Sequence, residues 1–507
     1  MPTHAISRVQ TLSILGLQPT LITVEVDIVK GIPQLHIIGL PNKALGETKE
    51  RLLAAFEHAS IELRHRKTLV NLAPADVPKT SAGLELAISV GLLERNGVTN
   101  LQPSNNKIAY IGELSLDGSI RPVKGILPLA LAAKKLGFTD LVFPASQSYI
   151  LQSITDIRLR PVDSLQTLIE LGRRGLLPDV CSLEAKNLTA PSQIRHKTRI
   201  DMSEISGNEV AKRALMIAAA GGHHLLLTGP PGAGKSLMAK SLVGILPPLN
   251  QEEQLEVTTL HSLVTTHPQM HTVRPFREPH HTTSFVGLIG GTAQLLPGEI
   301  SLAHHGVLFL DEISEFPRSV TEVLRQPLSE GYIQLKRASG SVKYPAQFTL
   351  VAATNPCPCG YFGDSKHSCK CTPIDQKRYH AKISGPIRDR IDLHVFVTQT
   401  PFEHIKKHSG STSKEIQTAV IKAREIQSLR YKNELFSTNA QVSHQYILAF
   451  LDQNPEIKQE VEHIHTQLSL SMRATFSLLK VARTIADLEG STDITKNHLI
   501  EAMQYRD

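Results

Sequence analysis

The alternation of apolar and polar positions is clearest near the start of the chain. Residues 21–29 (LITVEVDIV) repeat with period two and residues 35–38 (LHII) continue the signal, so both predict strands. Residues 43–60 switch to helical spacing, with Leu45, Leu52, Leu53 and Phe56 on one face. Residues 84–93 and 126–136 are apolar over helix length, and Gly137 ends the second. Mixed strands and helices predict an α/β domain over 1–172. Residues 173–200 keep neither period. Two prolines (Pro178, Pro191) and six basic against two acidic residues mark them as a linker. Short apolar runs at 224–228, 306–310, 348–353 and 394–397 then predict the buried strands of a second α/β unit over 201–400. Beyond 401 only the helical period persists. Helices are expected at 415–432, 445–451, 455–468, 473–488 and 495–504, forming a helical unit over 401–507.

Composition narrows the class. Hydrophobic residues make up 41% and charged residues 20%, as in soluble globular proteins. No apolar run approaches the ~18 residues of a membrane span. Residues 1–30 lack a signal-peptide layout, so the cytoplasm is the expected location and no membrane partner is expected. The net charge, 54 − 47 = +7, is too mild to indicate a partner by itself. Its distribution is more informative. Residues 336–390 hold ten basic and three acidic residues, a balance of +7 in that stretch alone.

Four motifs carry chemistry. Residues 229–236 (GPPGAGKS) fit the phosphate-binding loop pattern between a short strand and a helix. Gly229, Pro230, Pro231, Gly232, Ala233 and Gly234 would enclose the phosphates of ATP, with Lys235, Ser236 and Leu237 opening the helix, whose N-terminus favours anions. Lys235 would reach the β- and γ-phosphates and Ser236 would ligate Mg²⁺. Residues 306–312 (GVLFLDE) end a buried strand in two carboxylates, where open α/β sheets place ligands. There Asp311 would hold Mg²⁺ through water and Glu312 would orient the attacking water. Asn355 ends a third buried strand and could reach the γ-phosphate or that water; a turn-forming asparagine is the alternative. Arg388 and Arg390 follow in residues 384–392 (SGPIRDRID). They suit either an arginine finger, supplied to a neighbouring subunit, or salt bridges with Asp389 and Asp392.

These elements, in this order, resemble the AAA+ ATPase fold. Residues 201–215 (DMSEISGNEVAKRAL), 277–284 (REPHHTTS), 297–304 (PGEISLAH), 355–360 (NPCPCG) and 481–488 (VARTIADL) are similar to the magnesium-chelatase-like ComM/YifB family over nearly the whole chain. The resemblance implies a hexameric ATPase acting as a DNA helicase in branch migration during natural transformation. It further implies single-stranded, forked or branched DNA and recombination proteins as partners. It casts Asn355 as the first sensor, Arg390 as the finger, and Arg473 as a second sensor reaching the γ-phosphate of its own chain from the helical lid. Residues 285–298 become an insert in the second helix of the core, and residues 332–345 the hairpin before the first sensor. In this clade both project toward the ring pore. The hairpin cations Lys336, Arg337 and Lys343 suit a phosphate backbone without sequence preference, or serve as a solvated face.

Four of the five cysteines, Cys357, Cys359, Cys369 and Cys371, form two C-x-C pairs. They can supply four thiolates to a structural zinc site, or remain reduced thiols; Cys181 in the linker reads as a lone thiol. The pairs His223-His224, His280-His281 and His304-His305 read as structural, because neighbours on a regular element face apart and chelate poorly. Residues 74–83 and 123–133 resemble the Lon protease domain, whose nucleophilic serine is activated by a lysine. Ser81 falls about two positions early and Leu127 stands where the lysine belongs, so the expectation is a Lon-like α/β domain without the catalytic pair. The alternatives to a helicase are a motor subunit of a protein-remodelling or metal-chelatase-type complex, and an active protease. Leu127 argues against the protease.

Overall fold

The computed structural model describes residues 6–62, 67–74, 83–101, 107–180, 200–292, 294–337, 340–364, 367–400 and 410–506. Ser81, Cys181 and most of the expected linker lie outside these residues. Among the described residues no helix is long and apolar enough to cross a membrane.

The period-two stretch at 21–29 is the centre of a longer strand. β1 (Ser7–Leu15) and β2 (Gln18–Val29) form an antiparallel pair around a tight turn at Gly16. β3 (Gln34–Ile38), β4 (Lys67–Ala73) and β5 (Ile108–Tyr110) join them, a small hairpin of β6 (Glu113–Leu114) and β7 (Ile120–Arg121) stands apart, and β8 (Asp140–Pro144) and β9 (Arg158–Val162) complete a sheet ordered β3-β4-β2-β1-β5-β8-β9. Alternate residues bury on opposite faces. Tyr110 and Val142 pack with α1 (Asn42–His58), α2 (Glu85–Arg95) and α5 (Leu165–Arg173). Ala109, Leu141 and Phe143 pack with α3 (Ile126–Lys135) and α4 (Ser148–Leu151). Leu127 is fully buried in α3.

The second unit opens with α6 (Glu209–Gly221), β10 (Leu225–Thr228) and α7 (Lys235–Ile245). α8 (Gln251–Ser262), β11 (Phe276–Arg277), α9 (Phe285–Ile289), α10 (Glu299–Leu302) and β12 (Val307–Leu310) follow. α11 (Arg318–Glu322) and α12 (Arg325–Glu330) lead into the hairpin β13 (Tyr332–Arg337) and β14 (Gly340–Pro345). β15 (Thr349–Thr354), α13 (Pro373–His380), α14 (Gly385–Arg388) and β16 (Leu393–Phe396) close the unit. The sheet runs β11-β12-β15-β10-β16 with every pair parallel. Leu225, Leu227, Phe309 and Val351 face α6 and α7, while Leu226, Leu308, Leu310 and Leu350 face the hairpin and α9. The apolar runs carry no period because both faces are covered.

The C-terminal helices are α15 (Ser413–Arg430), α16 (His444–Gln453), α17 (Pro455–Gln467), α18 (Met472–Glu489) and α19 (Lys496–Met503). Capping sets their ends. Thr412 and Glu415 form a capping box before α15, Ser471 caps α18, and the left-handed Gly490 terminates α18. Their buried side chains share one core with α6 and α7.

The N-terminal unit packs on the core at two places. The Gly125 amide donates to Ser262 O (2.8 Å), the Gln147 amide to Thr266 O (2.9 Å) and the Tyr149 hydroxyl to Pro268 O (2.7 Å). The β1–β2 turn lies against β14, where a Cβ on Gly16 would come within 2.4 Å of Val342. Gly16 also has φ +60°, so both the backbone and the close approach call for glycine.

Candidate nucleotide site

The loop between β10 and α7 owes its shape to three glycines acting for two reasons. Gly232 (φ +76°) and Gly234 (φ +88°) adopt a left-handed backbone that a side chain would strain. Gly229 meets a neighbour instead, since a Cβ there would lie 2.2 Å from Val397 O at the end of β16. Gly234 caps α7, so Lys235 and Ser236 occupy its first turn while Leu237 is partly exposed. The Lys235 ammonium folds over the loop, donating to Gly229 O (2.5 Å), Pro230 O (3.0 Å) and Asn355 Oδ1 (3.1 Å). Burial pulls its pKa below the ordinary lysine value, against the opposing charges of Asp311 and Glu312.

The Walker-type carboxylates arrive from β12, one strand removed. Ser236 Oγ donates to Asp311 Oδ2 at 2.7 Å, joining the hydroxyl and carboxylate of a magnesium ligand set. Glu312 has φ +51° and ψ +48°, a conformation that costs a non-glycine residue roughly 1–2 kcal/mol. That turn leaves its side chain exposed at the mouth of the site. Asn355 follows β15, whose Thr354 pairs with Thr228 of β10, so strand register brings it to Lys235. Amine, hydroxyl, carboxylates and amide thus converge within one chain, a donor set that fits a magnesium nucleotide.

Arg390 and Arg473 do not converge there. Arg390 donates through Nε to Ser329 Oγ (2.7 Å) and through Nη1 to Pro386 O (2.6 Å). Arg473 lines a cavity together with His224 and Thr349, which stand at the N-terminal ends of β10 and β15. The phosphate loop leaves the other end of β10, about 13 Å away along four residues. The expected contact of Arg473 with its own γ-phosphate is therefore corrected. α18 docks beneath the sheet because its apolar face joins the α6 core, and this carries Arg473 to the far edge. Arg388, two residues from Arg390, lines a smaller cavity with Thr228, Thr354 and His380.

Of the two salt-bridge partners weighed for Arg390, Asp389 acts on it electrostatically and Asp392 is engaged elsewhere. Asp392 is taken by His223, whose Nδ1 lies 2.9 Å away, and by the Ser477 hydroxyl. His223 Nε2 meets Thr484 Oγ1 at 2.7 Å, so a buried polar chain ties the finger segment to α18. Burial pushes the Asp392 carboxyl up, but the His223 bond and nearby positive charge outweigh it and hold it below the ordinary 3.8. Its stabilisation is therefore present above pH 3.8 and fades as the pH falls below that value. His223→Ala is expected to cost about 3 kcal/mol, because two buried groups lose a partner. A denaturation midpoint shift worth under ~1 kcal/mol would show that the chain does not join the two units. Sequence reading missed this clamp, since its members lie far apart and no motif marks them.

The histidine pairs depart from expectation in geometry. Rings of His280 and His281 lie 4.0 Å apart, and those of His304 and His305 3.8 Å apart. His305 has φ +56°, which turns both rings toward Glu256, at 3.0 and 2.8 Å. The Gln347 amide donates to His304 Nδ1 (3.1 Å), so Nε2 carries the proton given to Glu256. A protonated Nε2 is no metal ligand, which takes His304 out of a metal role.

The hairpin cations separate in role. Lys336 is exposed and makes no hydrogen bond or ion pair among the described residues. Arg337 donates to Gly291 O of the insert (3.1 and 2.8 Å), and Lys343 sits 3.5 Å above the Tyr332 ring. The Tyr344 hydroxyl adds a bond to Leu295 O (2.7 Å), so insert and hairpin form one unit.

The four thiols gather after β15. Cys357 lies 3.4 Å from Cys359 and 3.7 Å from Cys369, with 3.6 Å between Cys359 and Cys369. All four sulfurs fall within 4.8 Å of one another. Ligands 2.3 Å from a tetrahedral zinc stand about 3.8 Å apart, so the cluster fits that ion. Backbone amides of Tyr361 and Lys370 bring the Cys359 thiol down to about 6.

Known proteins agree with this architecture. The family described as magnesium chelatase, subunit ChlI, matches residues 201–405. Related ChlI families match 24–147 and, as the C-terminal part, 410–506. The competence protein ComM of Haemophilus influenzae is 37% identical over 97% of this chain and 96% of its own. The YifB proteins of Escherichia coli and Salmonella typhimurium are 38% and 37% identical over 99% of this chain and 97% of theirs. The chain belongs to the ComM/YifB family of magnesium-chelatase-like proteins. Within that family its core is an AAA+ ATPase domain, for which ATP and Mg²⁺ are the implied cofactors.

Proposed function

We propose that this ComM/YifB-family protein is an ATP-driven DNA translocase and helicase, working as a hexameric ring to promote branch migration during natural transformation. The observation that carries the reading is the joined hairpin and insert, which Arg337 ties together and which leaves the Lys336 cation exposed. A chelatase-type or protein-remodelling motor has no need of such cations, whereas a phosphate backbone does. The competence name of the Haemophilus relative points the same way. In the ring, Arg390 would serve the nucleotide of a neighbour, because it stands away from its own loop. Lys235, Ser236 and Asp311 would hold the magnesium nucleotide, Glu312 would orient water, and Asn355 would sense the γ-phosphate. The divisions 1–172, 173–200, 201–400 and 401–507 stand as the domain reading, with recombination proteins as partners. The N-terminal unit is read as Lon-like without peptidase chemistry, since an apolar Leu127 cannot deprotonate a serine. The Cys357, Cys359, Cys369 and Cys371 thiolates are read as a structural zinc site.

The test supplies ATP and a forked or four-way DNA to the purified protein, with Lys235→Ala and Glu312→Gln as controls. DNA-stimulated hydrolysis and strand separation are expected from the parent protein alone. Neither activity from the parent protein would sink the helicase reading. Lys336→Ala is expected to lower the salt dependence of DNA binding by about one phosphate contact. Lys343→Ala is expected to matter less, because its ammonium rests on Tyr332.

A further inference from the structure

The cavity that holds Arg473 has a volume of about 720 Å³ and lies between the core and the lid. That size is within the range of small-molecule sites, about 300–1,000 Å³. Four cations line it: Arg274, Arg424, Arg473 and Lys480. Two carboxylates face them. Glu253 is engaged by the Arg274 guanidinium at 3.2 and 3.0 Å, and Glu330 accepts from Gln326 at 3.0 Å. Among the described residues Arg424 donates only to Ala219 O (3.2 and 2.9 Å) and Lys480 only to Ala440 O (2.9 Å). Arg473 makes no hydrogen bond or ion pair among the described residues. Three cations from two helices thus point into one space with no ion pair among the described residues, Glu253 and Asp392 acting on Arg424 and Lys480 only at a distance.

Their electrostatics agree with the geometry. Burial brings Arg424 down to about 9, with Arg274 adding to the effect. Burial also lowers Lys480, and Arg473 lowers it further against the pull of Asp392. Arg424 and Lys480 are therefore held at a cost that an anion would relieve. A guanidinium presents paired N–H groups that match phosphate oxygens, and several converging cations match a multiply charged group better than a single carboxylate.

We propose that this cavity is a second anion site, separate from the phosphate loop, that takes a phosphate-bearing small molecule: free pyrophosphate or the phosphate tail of a nucleotide. Arg424 and Lys480 are its inner ligands and Arg473 stands at its exposed rim. Its position under the lid, next to the finger segment, makes it a place where such an anion would tie core and lid together.

The test uses full-length protein carrying Lys235→Ala, which weakens the phosphate loop, titrated calorimetrically with pyrophosphate. About one pyrophosphate per chain is expected. Arg424→Gln with Lys480→Gln in the same background is expected to weaken binding at least tenfold. Glutamine keeps an N–H donor for Ala219 O and Ala440 O while removing the charge. Lys480→Gln alone, checked by thermal melting, serves if the double change does not fold, and a threefold or greater weakening is expected. ADP that displaces the bound pyrophosphate identifies a nucleotide tail as the ligand; pyrophosphate that ADP fails to displace identifies the free anion. No binding in the Lys235→Ala protein, or equal binding with and without the glutamines, would overturn the proposal.

Discussion

Replacing Glu312 by glutamine is expected to leave ATP binding intact and to slow hydrolysis by about 10²–10⁴-fold. The two side chains have the same size, and glutamine keeps the exposed position beyond β12. What it loses is the negative charge that orients and polarises a water molecule. Binding should survive, since Lys235, Ser236 and Asp311 form the cradle through their own contacts at 2.5–3.1 Å. A single-turnover measurement of bound ATP separates the two steps. A variant that hydrolyses within threefold of the parent rate would remove Glu312 from the water-orienting role. It would also leave the left-handed backbone there without a functional reason. Lys235→Ala should show the reverse pattern, with affinity lost before rate can be measured.

Zinc should be found at about one ion per chain in protein purified without added metal, and its removal should disorder residues 357–371. Four thiolates within 4.8 Å of one another would repel strongly unless a cation sat among them. In small zinc domains the ion contributes about 10–16 kcal/mol of apparent binding energy, so its loss unfolds whatever depends on it. Here the cluster lies between β15, which positions Asn355, and α13 and α14, which lead to Arg390. Chelation or Cys369→Ser should therefore speed proteolysis of that loop by on the order of tenfold and slow hydrolysis, while the sheet survives. Metal content near zero, or an unchanged cleavage rate after chelation, would show that the thiols stand reduced.

Much of the core could be read from the chain because its signals are local. The run at 224–228, the glycine loop and the helix behind it lie within about twenty residues, and backbone preferences set their shape. The helices after 401 were equally readable, since α18 keeps a helical period and ordinary caps. β1 gave no comparable signal. Its Thr11 and Ser13 are buried, so apolar and polar positions do not alternate cleanly. The two-residue strand β11 is too short to carry any period. The histidine pairs were read as structural, but the geometric reason differed. The rule that neighbours face apart holds for regular elements, and His305 is in a left-handed turn.

By itself, the sequence determined the ComM/YifB family and marked the phosphate-loop and cysteine motifs, because each rests on residue types at short spacing. The tertiary structure alone decided where distant parts meet. It set Arg390 and Arg473 at the opposite end of the sheet from the phosphate loop. It also joined hairpin to insert through Arg337 and gathered Arg424 and Lys480 around one cavity. The physical reason is that burial of one helix face against another is decided by the whole core. A lone arginine on a helix carries no mark of which end of the sheet that packing will give it.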